Sequence, residues 1–312
     1  MPDPTIVISE FMELHAVNKL RERHTVHYDP ELVDRGDGIY AFLENARALI
    51  VRNRTRVDVD LLARAPKLQV VGRLGVGLDN IDLDTCRARN ISVHAARGAN
   101  AGSVAEYVLV MALVTLRGAF GKTNEVAAGL WPRADLSEGR EAAGKTLGLI
   151  GFGDIGKATA ELANAIGIRV VGNDPAYPDD SLEWIHHNVE PLSLDELLGN
   201  ADVVSLHLPL TQATCGLIGR TAIARMKSGS ILINTARGGI VDESALADAL
   251  HSGHLSGAAI DVYAQEPLPA NSALTGLPNV WLTPHIAGIT QEANARVGNL
   301  IAHRIIQSLS SA

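Results

Sequence analysis

Cysteine is almost missing: Cys86 and Cys215 are the only two in 312 residues, and they lie far apart. Two such residues make neither a metal-ligand spacing nor a disulfide framework, so nothing points to an oxidising compartment. A basic surplus is missing too, since 27 Lys and Arg face 35 Asp and Glu for a formal net charge of -8. That balance argues against a nucleic-acid backbone as partner, because such proteins present a basic face. It leaves a small anionic substrate open, since a few arginines in a cleft reverse the local field. The opening MPDPTIVISE lacks the basic start and apolar run of a signal peptide. No uninterrupted apolar stretch reaches the ~20 residues that span a bilayer. A cytoplasmic protein without a membrane partner is the expectation, with neither repeats nor low-complexity segments.

What is present is a core-rich chain, 46% hydrophobic and long enough for two domains. Short apolar runs alternate with helical patterns from end to end, the signature of parallel sheets with crossover helices. Thr5–Ser9, Ala48–Val51, Leu68–Gly72 and Ile91–His94 read as strands of a first α/β domain, with Asp58–Arg64 and Leu83–Arg89 as helices. A long apolar helix, Ser103–Leu116, follows, with a further helical stretch to about Leu130 and a polar arm over Trp131–Glu141. A second strand series then runs through Thr146–Ile150, Arg169–Asn173, Val203–Leu206, Ser230–Asn234, Ala258–Val262 and Val280–Leu282. A last helix, about Gln291–Leu309, could return to the first domain. The reading is a Rossmann-type doubly wound α/β domain over residues 99–285 and a smaller α/β domain from residues 1–98 and 286–312.

The strongest local signal is Gly151-Phe-Gly153-Asp-Ile-Gly156. A lone GxGxxG is weak, but here the apolar strand TLGLI precedes it and a helical face of Ile155, Ala158, Leu162, Ala163 and Ile166 follows. A second strand, RVVGN, then ends on Asp174, 18 residues after the third glycine. Gly151 permits the tight turn, Gly153 admits a pyrophosphate to the backbone, and Gly156 lets helix and strand pack closely. The helix N-terminus offers unpaired N–H groups and a positive dipole end to phosphates. Asp174 would accept the ribose hydroxyls and repel a 2′-phosphate, so NAD is expected over NADP.

Chemistry rests on three later positions. Arg237 follows the strand SILIN, Glu266 follows GAAIDV by a few residues, and His285 follows VWL, so all three fall on strand-end loops. Taken singly, each has a bland explanation: a surface arginine, a loop-starting Glu-Pro, a core histidine. Together they supply what hydride transfer at a 2-hydroxy acid requires. Histidine takes the hydroxyl proton near neutral pH. A carboxylate holds the histidine and favours its protonated form. Arginine clamps the substrate carboxylate with its planar fork.

The segments GFGDIG, LHLPLT, NTARGGIVDE, GAAIDVYAQEP and TPHIAG, with VVGRLGVGLDNID in the first domain, resemble the D-isomer-specific 2-hydroxyacid dehydrogenase family from about Ala48 to Gly288. The resemblance implies a catalytic triad of Arg237, Glu266 and His285. It implies a cofactor set of Gly151, Gly153, Asp154, Ile155, Gly156, Asp174, His207, Leu208, Pro209, Thr235, Ala236, Asp261 and Gly288, with Asp261 at the nicotinamide carboxamide. It further implies a flavodoxin-like substrate domain made from both chain ends, a cleft between domains, and a homodimer in which the helix Ser103–Leu116 contributes to the interface.

Gly75-Val76-Gly77 resembles the family's backbone cradle for the substrate carboxylate, a nest of bare N–H groups. Arg52 and Arg73 flank it, and Arg133 resembles a position reaching a neighbouring subunit. In phosphoglycerate dehydrogenases such arginines face a distal phosphate, which implies a substrate with a second anionic group. The alternative is three exposed arginines paired to local acids. The opening ISEFM and the length resemble sulfolactate dehydrogenases, and no C-terminal regulatory domain is expected. Two rivals stay open: an NADH-sensing module of the same fold that recruits proteins, and formate oxidation, against which Glu266 counts because that relative carries Gln before the proline.

Overall fold

The computed structural model describes residues 5–277 and 279–310. By contact density the chain falls into two units, one running to Asn100 and resuming at Ile289, the other spanning Ala101–Gly288.

The first unit holds a five-stranded parallel sheet of β1 (Ile6–Ile8), β2 (Val26–Tyr28), β3 (Ala48–Val51), β4 (Val70–Arg73) and β5 (Ser92–Ala95), in the order β2-β1-β3-β4-β5. That is the flavodoxin-like order. Its helices are α1 (Leu14–Arg21), α2 (Val59–Ala63) and α3 (Leu83–Ala88), with the returning α11 (Gln291–Ser310). Alternation along the strands sorts the core. Ile6, Ile8, Ala48, Ile50 and Val70 join α1 and α11 on one face, while Val7, Leu49, Val51 and Val71 join α2 and α3 on the other. Both faces are covered, which is why the strands read as continuous apolar runs. Aspartates start two of the helices: Asp58 accepts from Leu61 N at 3.0 Å and Asp82 from Thr85 N at 2.9 Å.

The second unit holds β6 (Thr146–Ile150), β7 (Arg169–Asn173), β8 (Val189–Pro191), β9 (Val203–Leu206), β10 (Ser230–Asn234), β11 (Leu255–Ile260) and β12 (Val280–Leu282). All pair in parallel, in the order β12-β11-β10-β9-β6-β7-β8. This is the doubly wound order, extended by one strand, and its direction of winding reverses between β6 and β9. The helices are α4 (Ala101–Arg117), α5 (Thr123–Ala127), α6 (Asp154–Ala165), α7 (Leu182–His186), α8 (Leu194–Asn200), α9 (Arg220–Arg225) and α10 (Glu243–His251).

Several expectations shift. The edge strands β2 and β8 are not legible in the sequence, because three residues carry little pattern; Pro191 fits β8 because an edge needs no donor there. The long helix stops at Arg117, where Gly118 turns left-handed at φ 65°, and only a 3-10 turn and the short α5 follow before Leu130. The strand expected at Ala258–Val262 lies at Leu255–Ile260, with Ser256 bulged out of register, so Asp261 stands beyond the strand end. On α6 the buried face is Gly156, Thr159, Ala160 and Ala163, while Ile166 is exposed. Small residues win that face because α4 packs directly against it.

Close helix–sheet approach sets the glycine at position 72. A Cβ there would stand 2.6 Å from Ile301 Cγ2 of α11. Gly72→Ala should therefore destabilise the chain by about 1–3 kcal/mol through overpacking. Chemical denaturation of Gly72→Ala beside Gly72→Ala/Ile301→Ala checks this, with part of the loss recovered in the double variant; equal losses would place the cost elsewhere.

Candidate active site

Parallel strands deliver their next loops to one edge of the sheet, and where the winding reverses two loops part and leave a crevice. In the second unit these are the loops after β6 and β9. Gly151 leaves β6 at φ 96°, and a Cβ on it would lie 2.5 Å from the His207 carbonyl oxygen that follows β9. A Cβ on Gly156 would lie 2.5 Å from the Gly151 carbonyl, so the first turn of α6 rests on the turn that precedes it. Gly153 differs: nothing stands within 4 Å of its missing side chain, which leaves open space before the α6 N-terminus. Gly151 and Gly156 thus each answer a backbone contact, and Gly153 answers none.

Asp174, at the end of β7, accepts from Phe152 N at 2.7 Å through Oδ2 and from Ala176 N at 2.9 Å through Oδ1. One bond per oxygen leaves each carboxylate oxygen a further lone pair for ribose hydroxyls. Phe152 is fully buried and stacks on Trp184, 4.4 Å between centroids, with Tyr177 at its edge. This wall keeps the turn in place beneath any nucleotide.

The fit to a dinucleotide extends across the crevice. Both ring nitrogens of His207 and the Thr235 hydroxyl are buried with no hydrogen-bond partner among the described residues. Burial pushes the His207 pKa down to about 4, so its ring is neutral. Such orphans sit at the carboxyl ends of neighbouring strands, where a bound ligand can supply the missing bonds. Leu208 approaches Gly151, and Pro209 O accepts the Thr214 hydroxyl at 2.7 Å, bracing the turn after β9. Asp154 and Ile155 open α6, Ala236 lies in the turn after β10, and Gly288 closes the unit. The residues present fit NAD.

Farther along the same edge lie the three chemical candidates. The turn after β10 is tied by Asn234, whose Oδ1 accepts from Ala236 N at 3.0 Å and whose Nδ2 donates to the Arg237 carbonyl at 3.0 Å. Arg237 Nη1 donates back to the Ala236 carbonyl at 2.6 Å. A Cβ on Gly238 would meet the Tyr263 carbonyl oxygen at 1.7 Å, so this turn lies flat against the loop that carries Glu266. Glu266 meets His285 Nδ1 at 2.8 Å through Oε2 and 3.1 Å through Oε1, while Oε1 also accepts from Tyr263 N at 3.2 Å. An ionised carboxylate only accepts, so the proton is on Nδ1 and Nε2 is left for a substrate. Both side chains are 35% exposed, open enough for a ligand to reach.

His285 is also conformationally unusual. Asn90, Asn188 and His285 are the described non-glycine residues with positive φ, and His285, at 57°, is the one of the three on a loop that carries a chemical candidate. That backbone costs about 1–3 kcal/mol, which the surroundings must offset. Asp261, 1% exposed, stands beneath: its carboxylate accepts from the Thr283 hydroxyl at 2.6 Å and from Ile286 N and Ala287 N at 2.8 Å each. Three of its roughly four lone-pair sites are therefore taken by its own chain.

In the first unit, Arg73 lies on the cradle. A Cβ on Gly75 would fall 1.4 Å from Arg73 Nη1, so only glycine leaves room for the guanidinium over the backbone of Gly75. Val76 and Gly77 continue the loop after β4. Arg52, just after β3, donates from Nη2 to Asn294 Oδ1 at 2.9 Å, and burial lowers its pKa from the usual value. The neighbouring Arg54 is engaged differently, in an ion pair with Asp34. Arg133 belongs to the second unit, where its side chain is exposed.

Sequence reasoning missed the residues that shape these loops. Glu10, 4% exposed at the end of β1, accepts from the backbone N–H of Arg52 at 2.8 Å, Thr55 at 2.9 Å and Arg54 at 3.1 Å. Asn80 donates to the carbonyls of Arg52 at 3.2 Å and Thr55 at 2.6 Å. Asn234 and Thr283 act likewise in the second unit. The available signal was an acid or amide directly after a buried strand, within ISEFM and SILIN.

Residues 109–287 match the family described as D-isomer specific 2-hydroxyacid dehydrogenase, NAD binding domain. The chain is 50% identical over 305 residues to an (S)-sulfolactate dehydrogenase of Chromohalobacter salexigens, covering 97% of this chain and 98% of that relative. It is 40% identical to a D-3-phosphoglycerate dehydrogenase of Mycobacterium tuberculosis over 98% of this chain, and spans 57% of that relative's length. The crystal structure of the TT0316 protein from Thermus thermophilus superposes with a TM-score of 0.88 at 35% identity, covering 98% of this chain and 97% of that one. With a nucleotide crevice and a His–Glu pair on one sheet edge, the chain belongs to the D-isomer-specific 2-hydroxyacid dehydrogenases and is an NAD-dependent enzyme of that family.

Proposed function

We propose that the chain interconverts a 2-hydroxy acid bearing a second anionic group with its 2-keto acid, sulfolactate and phosphoglycerate being the two types that its relatives' names suggest. The observation that carries the reading is the seat of Arg73 on Gly75, a cation held over the backbone of the loop after β4, with Arg52 beside the neighbouring strand end. Arginine there matches a sulfonate, phosphate or carboxylate in a planar fork.

NAD, when bound, accepts or supplies the hydride. His285 does the proton work: Nε2 takes the hydroxyl proton in oxidation and returns it to the carbonyl oxygen in reduction. Glu266 receives the Nδ1 hydrogen and stabilises the imidazolium that forms. Arg237 binds the substrate carboxylate and polarises the carbonyl, so charge developing on oxygen meets a cation already in place. Asp174 selects NAD, having no room for another anion beside its carboxylate.

The exposed apolar side chains of the second unit support a homodimer. Val110 and Leu113 on α4, then Phe120, Val126, Leu130 and Trp131, are open to solvent, Trp131 at 79%. A second copy covering them removes a patch that a monomer would leave wet. Arg133 beside Trp131 then serves the neighbouring subunit.

Three outcomes are expected. Turnover of NADH with sulfopyruvate or 3-phosphohydroxypyruvate should exceed that with pyruvate, glyoxylate or hydroxypyruvate; preference for the simple acids would reduce Arg52 and Arg73 to local roles, and silence with tight NADH binding would favour a sensor. His285→Ala and Arg237→Ala should each lower kcat by about 10³-fold or more with NADH affinity nearly unchanged, as for loss of a proton-transfer or charge-stabilising group; near-normal turnover in either would remove it from the reaction. Asp174→Ala should shrink the NAD over NADP ratio of kcat/KM by about tenfold, and an unmoved ratio would reassign the ribose contact.

A further inference from the structure

The loop that carries His285 is fastened by a chain of hydroxyls whose direction the structure determines. Thr283 Oγ1 stands 2.6 Å from Asp261 Oδ1 and 2.5 Å from Tyr107 Oη. The carboxylate only accepts, so the single Thr283 hydrogen goes to Asp261. The short contact with Tyr107 then requires the phenol to donate. Burial raises the Tyr107 pKa, so this phenol keeps its proton. The result is a one-way series, Tyr107 to Thr283 to Asp261, anchored on α4.

Its far end grips His285 from both sides. Asp261 Oδ1 and Oδ2 accept from Ile286 N and Ala287 N, and the Asp261 carbonyl accepts from His285 N at 2.8 Å. Tyr263 Oη reaches the Thr283 carbonyl at 2.9 Å on the other flank. His285 is thus bracketed by bonds at residues 283, 286 and 287, which hold its left-handed backbone and aim Nδ1 at Glu266. None of these bonds is made by Glu266 or Arg237, so the acid–base pair depends on a network outside itself.

We infer that Tyr107 and Thr283 are positioning residues for hydride transfer, acting through Asp261 to hold the His285 loop in the one geometry that pairs it with Glu266. The inference rests on the reading of His285 as the proton-transfer residue. Thr283 touches neither that ring nor Glu266 by any bond of its own, and Tyr107 lies one residue further back, on a helix 176 positions upstream in sequence. Shared burial alone would make these groups ordinary core polar residues; the donor order, ending on a carboxylate that also takes two backbone N–H groups of the loop, makes them a brace.

The test uses the full chain with NADH and whichever of sulfopyruvate, 3-phosphohydroxypyruvate and hydroxypyruvate the wild type turns over fastest. Thr283→Val removes the middle hydroxyl at nearly constant volume and should lower kcat about 100-fold, the effect of a small misplacement of a reacting group. KM for the acid and the dissociation constant of NADH should stay within about twofold, since ground-state binding is not what the brace holds. Thr283→Ser keeps the hydroxyl and should restore kcat to within about threefold of wild type, and Tyr107→Phe should cost about tenfold in kcat, the scale of one lost hydrogen bond. The double variant Tyr107→Phe/Thr283→Val should be no slower than Thr283→Val, because both act along one path. A rise in KM with kcat intact, failure of Thr283→Ser to restore turnover, or additive losses in the double variant would overturn the inference. Should Thr283→Val not fold, Tyr107→Phe and Thr283→Ser decide it by the same kcat and KM readings. His285→Ala separates the two levels: if it stays active, the role of His285 is wrong, whereas an inactive His285→Ala beside a fully active Thr283→Val sinks the brace alone.

Discussion

Parallel pairing of β6 with β9 is the constraint on which the second unit depends. Because these two neighbours are not consecutive, the chain winds away from them in opposite directions. Their carboxyl-terminal loops must part, and the gap becomes a crevice lined by glycine backbone on one side and by the His207 turn on the other. Every later strand, from β10 to β12, then adds its own loop to the same edge. The order of the glycine turn, Arg237, Glu266 and His285 along the chain is therefore the order of strand ends across the sheet, and topology alone brings these candidates to one edge.

One local device recurs at those strand ends. A parallel strand ends with its hydrogen-bonding ladder incomplete, and the loop that follows carries N–H groups that need acceptors. Glu10 after β1, Asp174 after β7 and Asp261 after β11 supply them, each carboxylate accepting two or three backbone or hydroxyl donors. Asn234, at the end of β10, does the same with an amide that also donates. A charge satisfied in this way organises a loop without needing a cation.

Strain and support are coupled in the same place. His285 holds a left-handed backbone, which costs energy in any residue but glycine, and the bonds around it come from Asp261 and, behind that, from Thr283 and Tyr107. Glycine performs the opposite service. At Gly75, Gly151 and Gly238 the missing side chain is what allows a guanidinium or another stretch of backbone to come within bonding range. Within each unit the loops thus use two opposite devices: no side chain where groups must touch, and a hydrogen-bonded acid where a loop must be held.

Patterns of local origin were legible in the sequence. Buried parallel strands are continuous apolar runs, so Ala48–Val51, Thr146–Ile150, Arg169–Asn173, Val203–Leu206, Ser230–Asn234 and Val280–Leu282 can be read with their bounds. The glycine turn with its acid 18 residues on could be read too, because a strand, a turn and a helix N-terminus form one short contiguous unit. The edge strands β2 and β8 were not legible, since three residues hold too little pattern, and the buried face of α6 was not, because only its neighbour α4 decides it. Glu10, Asn80, Thr283 and Tyr107 escaped for the same reason: each acts on a loop that is remote in sequence. By itself the sequence determined the strands, the cofactor turn and the residue types able to do the chemistry, since these follow from local spacing. Only the tertiary structure decided which loops the acids hold through backbone N–H groups, because a hydrogen bond depends on distance in space, and distance in space is set by how the sheet is wound.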